Sequence, residues 1–258
     1  MSNLLIEIQD KICLLTLNRV DKQNAFDDKL LLEMQTQYSE ATNNSAVRVI
    51  VLKANGKHFS AGADIAWMQR MAQFSEEDNL KDAMILSNLM YTISQSSKPT
   101  IAMIQGCAYG GGAGLAAACD IAIAADTARF CFSEVKIGLI PAVISPYVVK
   151  AVGERTACAL FMSAELFDAQ RAFALNLIHH CVPEANLLEF TLNYAQQIAA
   201  CAPEAVIMAK KLSQHVANKP IDEELGYYTA NLIAHKRVSA EGQKGLQAFL
   251  NKETPNWN

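Results

Sequence analysis

Residues 100–126 read TIAMIQGCAYGGGAGLAAACDIAIAAD, and the order of residue types in this stretch decides the fold. The apolar run after Pro99, TIAMIQG, reads as a strand. Glycines at 110–112 interrupt the chain, a helix is expected over about 112–119, and residues 120–125 read as a second strand. Strand, glycine turn, helix and strand make the unit of an α/β sheet with crossover connections. The glycines have a second meaning. A backbone without Cβ atoms just ahead of a helix brings its N–H groups close to a ligand oxygen, where the positive end of the helix dipole adds to them. Another small-residue turn, SAGAD at Ser60–Asp64, follows the strand-like RVIVLKA and can supply a further N–H. Two donors aimed at one oxygen make an oxyanion hole, which points to an acyl compound whose carbonyl becomes an enolate.

Outward from this unit, LLIEIQD and KICLLTLNR read as two strands of a hairpin turning around Gln9–Lys11. The polar turn DKQNAF leads to a helix over 27–43 with Leu30, Leu31, Met34 and Tyr38 along one side. A strand is expected at 48–53, a helix at 76–95 and a strand at 129–132, and Asp64 can N-cap the segment IAWMQRM. Past Ser145 the pattern turns helical: 145–152, 153–162, 168–175, 184–200, 203–217, 221–236 and 239–251. The expected organisation is an α/β core over 1–195 followed by a helical C-terminal region over 196–258, without internal repeats.

Composition removes several function classes. With 258 residues, 51 % apolar and 19 % charged, the chain can bury a sizeable core. Its net charge is −4 and no basic run exceeds Lys210-Lys211 or Lys236-Arg237, which argues against nucleic acid as a partner. The seven cysteines form no CxxC pair and lie at no metal-ligand spacing from a histidine. They read as small core hydrophobes in a reducing compartment, and no metal is expected. The N-terminus lacks a basic region followed by an apolar stretch. The longest apolar run, around 113–125, is too short to span a bilayer. The expectation is a cytoplasmic protein without a membrane partner.

The segments GKHFSAGADI, KPTIAMIQGCAYGGGAGLAAACDIAIAADTARFCFSEVKIGLIPAVIS and EGQKGLQAFLNKETPNW resemble the enoyl-CoA hydratase/isomerase family, the crotonase superfamily, in order and across essentially the whole chain. The resemblance implies a ββα superhelix with a perpendicular pair of sheets and a helical C-terminal trimerisation region, assembled as a homotrimer or homohexamer. It implies an acyl-CoA thioester as substrate, with no separate cofactor because coenzyme A belongs to the substrate. Carried over residue by residue, the oxyanion donors are the N–H groups of Ala63 and Gly111. Glu134, in FCFSEVKIGLIP, becomes the acid that moves a proton at the acyl chain. Its own setting agrees: it follows an apolar strand and precedes IGLIP, where desolvation raises a carboxyl pKa toward the range useful for proton transfer. Ala61, Asp64 and Ile65 join the binding loop from the first turn, Asp64 without a chemical role, and Tyr109, Gly110 and Gly114 join it from the second. Lys22 stands where the family carries a CoA-contacting basic residue, and Lys252 is a weaker candidate. Trp67 and Met68, directly after the first turn, are candidates for an acyl-lining surface. Phe249 and Trp257 can stack on adenine, although an amphipathic C-terminal helix needs a buried Phe249 in any case.

Gly114 departs from the pattern. Two-glutamate hydratases of the family carry a glutamate there, so that two carboxylates hold the attacking water. Adding water needs proton handling at both Cα and Cβ, whereas shifting a double bond needs one base that picks up and redeposits a proton. The missing carboxylate favours an isomerase. Against that, FSAGADIAWMQ and FSEVKIGLIPAVISPYVVKAVGER are similar to bacterial methylglutaconyl-CoA hydratases of leucine breakdown. Hydration is the leading expectation and isomerisation the alternative. A non-catalytic binder of acyl-CoA or RNA comes third, opposed by the negative charge and by the presence of Glu134, Ala63 and Gly111. Ser133, Ser145 or Tyr147 could orient the water in place of the missing carboxylate, and Gly114→Glu is expected to rebuild the carboxylate pair.

Overall fold

The computed structural model describes residues 2–257. In chain order its core contains β1 (Leu4–Gln9), β2 (Ile12–Leu17), α1 (Asp28–Asn43), β3 (Val49–Ala54), α2 (Ile65–Met71), α3 (Glu76–Gln95), β4 (Thr100–Ile104), β5 (Cys107–Tyr109), α4 (Gly111–Ala118), β6 (Ile121–Ala125) and β7 (Arg129–Cys131). Then follow α5 (Ser145–Val152), α6 (Glu154–Ser163), β8 (Phe167–Asp168), α7 (Ala169–Ala174), β9 (His180–Val182), α8 (Leu187–Ala199), α9 (Pro203–Val216), α10 (Glu223–Val238) and α11 (Ala240–Leu250). The six-stranded sheet runs β1-β2-β3-β4-β6-β9, antiparallel at β1/β2 and parallel thereafter. Every residue of β2 and β4 is buried, as continuous apolar runs require when both faces of a parallel sheet are covered. At the β1/β2 turn, Asp10 and Lys11 both have positive φ, 48° and 69°, the backbone that matches a two-residue hairpin to the strand twist.

Helix α1 begins where the Asp27 carboxylate accepts the Leu30 N–H, and its buried side carries Leu30, Leu31, Met34 and Tyr38. A second sheet, β5-β7-β8, is parallel at β5/β7 and antiparallel at β7/β8. It is packed by aromatic rings: Phe130 stacks on Phe167 at 5.7 Å and Phe132 meets Phe161 edge-on at 5.2 Å.

The long elements lie within about three residues of their expected bounds. The strands β5, β8 and β9 and the 3-10 turn Glu134–Ile137 were not expected. Each spans two to four residues, too few to show a period, and the strands exist through pairing with segments distant in sequence.

The chain divides into two compact units, residues 1–195 and 196–258, with the boundary inside α8. In the second unit the Glu241 carboxylate accepts the Glu204 and Ala205 N–H groups at the start of α9. The Lys236 ammonium pairs with Glu241 at 2.6 Å and with Glu204 at 2.9 Å. Phe249 is 79 % exposed on α11, contrary to the expectation that it is buried. Trp257 instead packs beside Gly245, with the Lys244 ammonium 5.9 Å from its ring centre. Among the described residues, no helix is long and apolar enough to cross a membrane.

Candidate active site

Two segments widely separated in sequence run side by side. Ser60 and Ala108 form a parallel bridge, the Ser60 N–H donates to the Cys107 carbonyl, and the Tyr109 N–H donates to the Ser60 carbonyl, both at 3.0 Å. Three residues beyond that bridge on each chain lie Ala63 and Gly111. Ala63 is flanked by Phe26, whose N–H donates to the Gly62 carbonyl and whose carbonyl accepts the Asp64 N–H, both at 2.9 Å. In a parallel bridge of this kind the flanked residue points its own N–H away from the bridging strand. The Gly111 N–H is one of the orphan donors at the start of α4. Neither the Ala63 nor the Gly111 amide has an acceptor among the described residues.

Glycine is needed at two points of the second turn for different reasons. Gly110 has φ +50° and ψ −121°, a backbone that L side chains rarely adopt. A Cβ on Gly111 would overlap the Phe26 ring. Phe26 therefore touches both turns, through its backbone at Ala63 and through its ring at Gly111. The sequence carried no signal for this, since a lone aromatic after a polar turn has no periodicity.

Glu134 comes to the same place. The Gly110 N–H donates to the Cys131 carbonyl at 2.9 Å, which ties the start of α4 to the end of β7. Three residues past Cys131, Glu134 opens the 3-10 turn. A Cβ placed on Gly110 would be 3.0 Å from its Oε1, so the carboxyl lies against that glycine. Its Oε2 is buried without a hydrogen-bond partner in the described structure. Burial pushes the carboxyl pKa above its ordinary value, and one backbone hydrogen bond opposes this more weakly.

Asp64 is held by structure. Burial opposes its ionisation, but the Ala66 and Trp67 amides and the Arg19 guanidinium outweigh this and keep the carboxyl below its usual range. Arg19 bonds to Asp64 at 3.0 Å and to Asp27 at 3.2 Å, clamping the 19–27 turn onto the SAGAD turn. Lys22 sits on that turn, exposed, with its charge also favouring the Asp64 carboxylate. The Ala61 N–H donates to the Gln23 carbonyl at 3.0 Å. Ile65, the first residue of α2, is 75 % exposed. Tyr109 is half-buried beside Cys107, and burial pushes its phenol up to about 12. Trp67 is buried, edge-on to Phe26 at 6.2 Å, with its indole N–H donating to Asp82. It reads as core, while Met68 next to it is half-buried.

Two expectations change. Gly114 is buried, and a Cβ there would overlap the Ile144 side chain and come within 3.2 Å of Met90 Cε. The side chain absent at 114 makes room for Ile144, so no vacant carboxylate slot opens there. Gly114 is thus a packing position rather than a substrate contact. Ile144 lies 30 residues downstream, and its packing against Gly114 left no mark in the sequence pattern. Two of the three candidate water-orienting groups are engaged elsewhere: the Ser145 hydroxyl donates to the Ala142 carbonyl at 2.7 Å, and the Tyr147 phenol is paired with Ser94.

Residues 7–258 match the family model described as enoyl-CoA hydratase/isomerase. Among solved structures, one from Legionella pneumophila described as an enoyl-CoA hydratase/isomerase (crotonase) is 71 % identical, with 100 % of each chain covered and a TM-score of 0.98. An enoyl-CoA hydratase from Shewanella pealeana is 41 % identical, covering 99 % of this chain and 96 % of that one, with a TM-score of 0.95. The 2,3-dehydroadipyl-CoA hydratase of Escherichia coli is 31 % identical over 100 % of this chain and 99 % of its own. The architecture is therefore that of a crotonase-fold enzyme. The chain belongs to the enoyl-CoA hydratase/isomerase family.

Proposed function

We propose that this enzyme adds water across the C2–C3 double bond of an acyl-CoA thioester, using Glu134 as its one proton-carrying group and the Ala63 and Gly111 amides as the oxyanion hole. The observation that carries the reading is the buried, unpartnered Oε2 of Glu134 next to a turn whose Gly111 amide, like that of Ala63, lacks an acceptor. A buried polar atom without a partner calls for an explanation, and a bound ligand or water that completes the set supplies one. In the forward step Glu134 takes a proton from water as the water oxygen bonds to Cβ. The double-bond electrons move onto the thioester, whose oxygen the two amides hold as the enolate. The enolate then collapses, Cα takes the proton from Glu134, and the carboxylate is restored.

The acyl group we propose is branched and carries a distal carboxylate, as in 3-methylglutaconyl-CoA. Two resemblances support this: the sequence similarity to methylglutaconyl-CoA hydratases, and a relative whose name specifies 2,3-dehydroadipyl-CoA, another acyl chain ending in a carboxylate. Loss of enoyl-thioester absorbance is expected with methylglutaconyl-CoA and, more slowly, with crotonyl-CoA. The packing of Ile144 against Gly114 favours a second reading, isomerisation by a single carboxylate. No turnover of either substrate, together with double-bond migration in a 3-enoyl-CoA, would select the isomerase. Assembly as a homotrimer or homohexamer belongs to the same proposal, and light scattering reads it.

The pH profile follows from the direction of the Glu134 shift. A base must be ionised to accept a proton, so kcat/KM for hydration is expected to rise from the acid side. Its inflection should lie above the ordinary glutamate range because burial raises the pKa. An inflection within the ordinary range would remove Glu134 from the role.

A further inference from the structure

We infer that Ser60 is a positioning residue whose hydroxyl, donating to the Asn24 carbonyl and accepting the Gly62 N–H, aims the neighbouring Ala63 amide. The two bonds measure 2.9 Å and 3.2 Å, and Ser60 is fully buried. A hydroxyl has one proton, so donation to Asn24 fixes its rotation and turns a lone pair toward Gly62. Asn24 is itself immobilised. Its side-chain amide donates to the Asn55 and His58 carbonyls at 2.8 Å and 2.7 Å, and its Oδ1 accepts the Arg19 N–H at 2.9 Å.

The peptide plane that carries the Ala63 N–H begins at the Gly62 carbonyl, which accepts from Phe26. Ser60 holds the other end of Gly62. A glycine at φ +93° has no side chain to restrict it, so these two bonds, with the Asp64 N–H donating to the Phe26 carbonyl on the far side of Ala63, keep that plane in one orientation. Ser60 also adjoins the second turn, because a Cβ on Gly112 would lie 2.9 Å from its own Cβ. The proposed chemistry does not touch Ser60, which acts through the Gly62–Ala63 peptide.

The inference rests on the oxyanion-hole reading above, and the experiment separates the two. Removing a whole oxyanion donor costs about 100- to 1,000-fold in kcat. Ser60→Ala keeps the Cβ spacing and misaims one donor, so a loss of about 10- to 100-fold in kcat is expected, with KM changing by less than about 3-fold. The direct readout is the isotope-edited infrared stretch of bound butyryl-CoA labelled with ¹³C at the thioester carbonyl. The unmodified enzyme is expected to shift it to lower wavenumber than in solution, and Ser60→Ala to lose about half of that shift. A variant that melts lower yet keeps the full carbonyl shift and kcat would overturn the inference, leaving Ser60 a merely structural residue. Absence of any shift in the unmodified enzyme would overturn the oxyanion hole itself. Should Ser60→Ala not fold, Ser60→Cys keeps the shape with a weaker donor and acceptor. An intermediate shift then supports the inference, and a full shift with full kcat overturns it.

Discussion

Glu134→Gln is expected to lower kcat for hydration by about 1,000-fold while leaving the affinity for the CoA thioester within about 3-fold of the starting value. Glutamine keeps the volume and the planar head group and removes only the titrating function. A second consequence separates this from damage to the fold. The folded carboxyl has a raised pKa, so its contribution to stability is full below the ordinary glutamate value and is lost as pH rises through the raised one. Near neutral pH the native protein carries the cost of an ionised, partly desolvated carboxylate whose Oε2 has no partner. The variant should therefore melt at a higher temperature than the unmodified protein near neutrality. The difference should disappear in acid, below the usual glutamate range. A variant that is inactive and also less stable at neutrality would show that Glu134 holds the turn rather than the proton.

The second large effect is at Gly114. From the residue pattern alone, a glutamate there looked able to complete a carboxylate pair. In the structure its Cβ would overlap the Ile144 side chain, lie 2.7 Å from Ile144 Cβ and press on Met90 Cε. Overpacking of a filled core costs about 1–3 kcal/mol, and a carboxylate buried against Ile144 and Met90 adds the penalty of an unpaired polar group. Gly114→Glu is expected to lower Tm by about 10 °C or more and to abolish activity through loss of the native turn. Combining it with Ile144→Ala, which removes the obstructing branch, should recover part of that Tm. Unchanged stability with faster crotonyl-CoA hydration would mean that Ile144 yields easily and that the slot is available after all.

What could be read in the chain was what is local. The unit from Thr100 to Asp126 declares itself because strand, glycines, helix and strand are contiguous and each has its own period. The Asp64 cap was legible for the same reason, since its acceptor and the Ala66 and Trp67 donors lie within three residues. Pairings between distant segments were hidden. Strand β9 exists by docking on β6, and β8 by closing on β7. The same holds in the site. Glu134 could be picked from the family resemblance of FCFSEVKIGLIP, with its apolar flanks in agreement, but Phe26, Ser60 and Ile144 act through neighbours brought to them by the fold, and nothing in their own sequence surroundings marks them.

One residue is shared by both turns of the proposed oxyanion hole, because Phe26 flanks Ala63 with its backbone and lies on Gly111 with its side chain. A larger side chain at residue 26 therefore presses on the Gly111 turn and reaches the Ala63 turn only by moving the backbone the two share, which leaves few permitted single steps in sequence space.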